Sequence, residues 1–214
     1  MFPGMKGVKY MKYVRALPSA DPAQSMALLN KGWKKLKEPK NLQRATLLSL
    51  PLMFLNGALT LLFLYALHAP LRQLLRSKEG FSFTLYIDLA LVLFLLGLYV
   101  MALVHELLHA SLIPNVRRSE KTFWGIKPMC GFVVTEEVLS KGRFILLSMF
   151  PFFVLSFLLP LILHLLGLLN GYTILLCLCN AMGSSVDCLN VILVAKQVPH
   201  GGRLVNNGLE TYYR

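Results

Sequence analysis

The sequence predicts an all-α polytopic membrane protein: four transmembrane helices, with a short β-hairpin between the second and third. Three observations predict it. Four apolar stretches, at roughly residues 46–67, 84–113, 144–168 and 172–195, each reach the ~20 residues that cross a hydrocarbon core. The chain is 56% hydrophobic, where a soluble domain averages about 45–50% apolar residues. The net charge of +12 sits outside the apolar runs, which suits lipid headgroups better than nucleic acid. No aromatic-basic motif for RNA or DNA is present, so nucleic acid is not an expected partner.

Residues 1–45 are polar and basic, from Lys6 and Lys9 through Lys40 and Arg44. They lack the short apolar core of a cleavable signal peptide, so the first span is expected to serve as an uncleaved anchor. Trp33, beside Lys34 and Lys35, reads as the interfacial anchor of an amphipathic segment; a solvated basic tail is the competing reading. The first span, 46–67, is followed by a loop holding only Arg72, Arg76 and Lys78. The second span is longer than the minimum, so its last turns are expected to leave the core or line a cavity.

The connection to the third span carries Arg117, Arg118, Lys121, Lys127, Lys141 and Arg143. Within it, Thr122–Ile126 and Phe132–Thr135 are β-prone runs punctuated by Pro128 and Gly131, which predicts a hairpin at the membrane surface. The turn between the third and fourth spans, Asn170-Gly171, has no basic residue. The Lys and Arg bias therefore predicts a multi-pass protein of the cell membrane with both termini in the cytoplasm. The expected segments are a basic cytoplasmic or interfacial stretch over 1–45, a four-helix transmembrane domain over 46–195 and a cytoplasmic tail over 196–214. The four cysteines, Cys130, Cys177, Cys179 and Cys188, form no CxxC pair and read as small apolar filler.

Against this apolar background one motif stands out. His105-Glu106-Leu107-Leu108-His109 is an HExxH sequence at the end of the second span. Residues four apart on a helix are roughly 40° apart around its axis, so His105 and His109 face one side and can bind one zinc ion. Glu106 can then act as general base toward water. An ionisable side chain at mid-span costs about 2.5–3.5 kcal/mol on insertion scales, and three such groups in five residues need compensation, which a metal supplies. The competing reading is a helix end in the headgroup region with solvated histidines.

A third ligand is sought among few candidates, because the chain has only ten acidic residues and five histidines. Asp88, Glu79 and His68 lie toward the outer side. His164 lies about 30 Å along the third span, in the other leaflet, and reads as an interfacial or packing residue. Asp187 is the only acid in the fourth span. It lies about 23 Å along its helix and His105 about 32 Å along the parallel second helix, so both fall in the cytoplasmic half. Asp187 is the expected third ligand; pairing with a polar neighbour or capping a broken helix is the alternative. Asn180 and Ser184 are candidate substrate-orienting or supporting residues. Glu136 and Glu137 rank below Asp187, because a loop acid is normally solvated.

HELLHA at a helix end, a span opening with SKGRFILLSMFP, then NAMGSSVD and the closing VPHGGRLVNNGLETYY resemble a family of membrane proteins described as "putative zincin peptidases". The resemblance covers roughly residues 40–214. More distantly the layout is similar to the site-2 protease class of intramembrane metalloproteases, although Asp187 is followed by Cys-Leu-Asn and lacks their NPxxxxLDG-type context. The resemblance implies His105, His109 and Asp187 as zinc ligands and Glu106 as catalytic base. The expected function is a membrane-embedded zinc metalloprotease acting on extended or membrane-associated protein substrates near the cytoplasmic face. The alternative is a catalytically inactive metal-binding membrane scaffold or regulator. A small transporter fits poorly, because no broken-helix repeat is present.

Overall fold

The computed structural model describes residues 11–77, 86–127 and 130–214. Lys6, Lys9, Lys78, Glu79, Thr84 and Pro128 lie outside the described residues. Two compact units are present. One is drawn from residues 1–38, 106–147 and 193–214, the other from residues 39–105 and 148–192.

The first unit is rich in strands. Strand β1 (Lys12–Tyr13), helix α1 (Pro22–Asn30) and strand β2 (Lys34–Lys35) come from the basic N-terminal stretch. Strands β3 (Thr122–Lys127), β4 (Cys130–Thr135) and β5 (Leu139–Ser140) lie between the second and third long helices. Strands β6 (Arg203–Asn207) and β7 (Glu210–Tyr213) end the chain. They form two sheets, ordered β1-β3-β4 and β2-β7-β6-β5.

This corrects the all-α expectation with a lone hairpin: the described residues hold seven strands in two sheets. β3 and β4 do pair antiparallel, with Thr122 opposite Thr135 and Trp124 opposite Val133, but as part of a three-stranded sheet. The physical reason is that an isolated two-stranded ribbon is marginal in water, and the basic N-terminal stretch supplies the extra strand. Gly125 has the room this needs, since a Cβ there would stand 2.2 Å from the Val14 carbonyl oxygen.

Trp33 is also corrected. It is 7% exposed and packs with Val205 and Tyr212, with the Arg214 guanidinium 4.9 Å above its ring. It is a core residue of this unit. Tyr212 donates to Glu210 Oε2 at 2.7 Å and lies 2.9 Å from Ser25 Oγ, which ties α1 to β7.

Glu210 is held below the usual glutamate range, first by its hydrogen bond from Lys35 and then by that from Tyr212. A depressed carboxylate stabilises the fold above its unfolded pKa of about 4.3, and that stability is lost as the pH falls through the lower folded value. Glu210→Gln is therefore expected to lower the unfolding midpoint at pH 7, by no more than about 1 kcal/mol for a partly exposed pair. The difference from wild type is expected to shrink below about pH 4. Thermal unfolding in detergent between pH 3 and 7 measures it.

The second unit is helical. Its helices are α2 (Leu42–Leu67), α3 (Ala69–Arg76), α4 (Leu89–Ser111), α5 (Lys141–Phe153), α6 (Leu159–Leu165), α7 (Gly171–Gly183) and α8 (Ser185–Gln197), with α4, α5 and α8 running on into the first unit. A π-helical turn over Val154–Leu158 joins α5 to α6. Among the described residues, four helices are long and apolar enough to cross a membrane: Leu42–Leu67, Leu89–Ser111, Lys141–Leu165 and Gly171–Gln197. Many of their leucines are exposed, Leu62 and Leu93 among them, as a lipid-facing surface requires.

α4 begins at Leu89, later than residue 84, because Asp88 caps it: its Oδ1 accepts the Leu91 N–H at 3.1 Å. Ser49, Asn56 and Thr60 of α2 are buried. Asn56 donates to the Ala181 carbonyl at 3.1 Å, and Ser49 lies 3.2 Å from Ser185. Gly57 lets Met182 of α7 approach to within 3.3 Å of where a Cβ would stand, as small residues do where membrane helices pack closely.

Candidate metal centre

α4 is almost wholly apolar until its last turns, which carry His105, Glu106 and His109. The helix is unbroken there, so its own period sets both imidazoles on one face. A ring nitrogen of each lies within 4.8 Å of one on the other.

In the helical unit His105 meets Asp187 and Asn180. Its Nε2 lies 3.3 Å from Asp187 Oδ2, and its Nδ1 lies 2.9 Å from Asn180 Oδ1. Asn180 Nδ2 donates to Ser156 Oγ at 2.9 Å, so the oxygen of the amide is the end facing His105. A carbonyl oxygen only accepts, so His105 carries a proton on Nδ1, and Nε2 is the nitrogen turned to Asp187. Asp187 stands in the first turn of α8, just after α7 closes at Gly183. Ser184 does not reach His105 in this network; its hydroxyl donates to the Asn180 carbonyl at 2.8 Å and closes the helix end.

In the strand-rich unit His109 is 8% exposed, and its Nδ1 donates to the Leu147 carbonyl at 2.8 Å. Its Nε2 is thereby left with the lone pair. The Val133 N–H donates to Glu106 Oε2 at 3.1 Å, which fixes the carboxylate against β4. β4 pairs with β3 on one side only, so Val133 presents its N–H on the outer edge of the sheet. Two residues further along β4, the Thr135 carbonyl accepts from Asn206 Nδ2 at 3.1 Å.

The remaining candidates are used elsewhere. Glu136 accepts the Gly208 N–H at 3.2 Å, and Glu137 accepts the Ser119 hydroxyl at 2.7 Å. Asp88 caps α4, and His68 caps α3 by accepting the Leu71 N–H at 3.1 Å. His164 is exposed in the last turn of α6. Glu79 lies outside the described residues.

Sequence reasoning missed three contributors: Ser156, the Leu147 carbonyl and the Val133 N–H. Ser156 had a signal, since it is the one polar residue in the run FPFFVLSFLLP. The two backbone groups had none, because any residue carries them.

Among the described residues, four helices are long and apolar enough to cross a membrane, and one of them carries an HExxH sequence in its last turns. Residues 98–202 match the model of a family described as "Putative zincin peptidase". No curated protein and no solved structure matches the chain.

Proposed function

We propose that this protein is a membrane-embedded zinc endopeptidase in which His105, His109 and Asp187 hold one zinc ion and Glu106 is the general base. The observation that carries this reading is the engagement of both imidazoles through Nδ1, with the Nε2 of His105 turned to Asp187 at 3.3 Å. Two neutral imidazoles and a carboxylate are a zinc donor set, and it fits a catalytic site, which keeps a fourth position open. When bound, zinc supplies a Lewis acid and lowers the pKa of water to about 7.

The chain's own groups do the rest. Glu106 takes a proton from the attacking water, and the Val133 N–H holds the carboxylate in place to receive it. The substrate is an extended protein segment, because a helix hides its carbonyls in its own hydrogen bonds. It pairs with the outer edge of β4, over Phe132–Thr135, by strand addition. Asn206 occupies the Thr135 carbonyl and Glu106 the Val133 N–H, so pairing beside the site runs through the Val133 carbonyl, which accepts a substrate N–H. The site opens to the cytoplasmic face, both termini are cytoplasmic, and the bilayer is the protein's standing partner.

The test is to purify the protein in detergent, count zinc per chain by mass spectrometry, and follow cleavage of an unstructured peptide and a helical one. Zinc near one per chain, with the unstructured peptide cut faster, is expected. Absence of zinc sinks the reading. Zinc without turnover of either peptide leaves an inactive metal-binding scaffold.

A further inference from the structure

His109 reaches a backbone carbonyl that a regular helix would not offer. Leu147 lies inside α5, where its carbonyl would normally accept the N–H of residue 151. Residue 151 is Pro151, which has no N–H to give. A proline ring also crowds the carbonyl four residues earlier, which tilts that carbonyl away from the helix axis. The Leu147 carbonyl thus lacks its usual helical donor, and it accepts His109 Nδ1–H at 2.8 Å. Pro151 is itself fully buried and holds no ligand position.

We propose that Pro151 is a positioning residue for His109: by withholding an N–H from the Leu147 carbonyl, it reserves that carbonyl to hold the imidazole through Nδ1. This rests on the reading of His109 as a zinc ligand, and it assigns the orientation of that ligand to a residue four positions along a different helix. A ligand histidine whose other nitrogen is fixed by a carbonyl loses less freedom on binding metal and keeps the coordinating tautomer. With alanine at 151 the helix regains a donor. The Leu147 carbonyl then turns back toward the axis, and His109 is released to the Nε2–H tautomer.

The experiment compares wild type with Pro151→Ala in detergent. The His109 tautomer is read by nitrogen-15 NMR of histidine-labelled, metal-free protein, and zinc affinity by competition with a chromophoric chelator. Wild type is expected to show proton on Nδ1 of His109, and Pro151→Ala a mixture of tautomers with zinc bound about 10-fold more weakly, the lower end for loss of such an outer contact. The unfolding midpoint is expected to hold or rise, since alanine is the better helix former. A merely structural proline would lower the midpoint and leave the tautomer alone. An unchanged His109 tautomer with zinc affinity within twofold of wild type overturns the proposal, as does a wild-type His109 protonated on Nε2. If wild type binds no zinc yet the tautomer shifts, the Pro151 contact stands and the metal reading falls.

Discussion

Glu106→Gln is expected to abolish peptide cleavage while leaving zinc bound. Glutamine keeps the length of glutamate and an oxygen that can accept the Val133 N–H, so the 3.1 Å contact to β4 survives. What it loses is the ability to take a proton. A positioned general base contributes roughly 10²–10⁴-fold, so the cleavage rate falls by that factor. Binding of a non-cleaved extended peptide is expected to be little changed, because the β4 edge is the same in both proteins. Paired measurements of rate, peptide affinity and zinc content separate these effects. A rate within a fewfold of wild type would remove Glu106 from the chemistry. Loss of zinc together with loss of rate would instead mark Glu106 as part of the metal's support.

How much of this was legible depends on the range of the signal. The spans were legible because a run of ~20 apolar residues has no cheaper place than a bilayer or a large core. HExxH was legible because its spacing is internal to one helix. Matching His105 with Asp187 needed only that two helices run parallel and that depths be counted at 1.5 Å per residue. The 3.3 Å contact of those side chains shows how far a one-dimensional count can reach inside a lipid-bounded bundle.

The sheets escaped for the opposite reason. β1, β2 and β5 are two residues each, too short for any alternation to register, and they exist because β3, β6 and β7 supply partners. The β6–β7 hairpin did carry a signal: its two-residue loop opens on Gly208, with φ +57°, and glycine at the first loop position favours a tight hairpin turn. Reading the stretch after residue 195 as a tail passed over it. Trp33 was misjudged because basic neighbours mark an interface only when the ring is outside, and here Val205 and Tyr212, far along the chain, cover it.

Asp187→Ala is expected to lower zinc affinity by more than 100-fold, beyond the ~10–100-fold that loss of an outer contact costs. Two neutral imidazoles leave the charge of a dication uncompensated, and Asp187 is the acid that meets one of them, at His105 Nε2. Its removal takes away both a donor and the neutralising charge in a segment with little water. The metal-free protein also loses a partner for His105, at a cost of roughly 1–3 kcal/mol. The two effects part in Asp187→Asn, which still pairs with His105 but brings no charge: stability is expected to return and zinc affinity to stay low. Chelator competition and thermal unfolding, run on both variants with and without zinc, measure this. Were Asp187 only a structural partner of His105, Asp187→Asn would bind zinc as wild type does, and the metal would have to find its charge elsewhere.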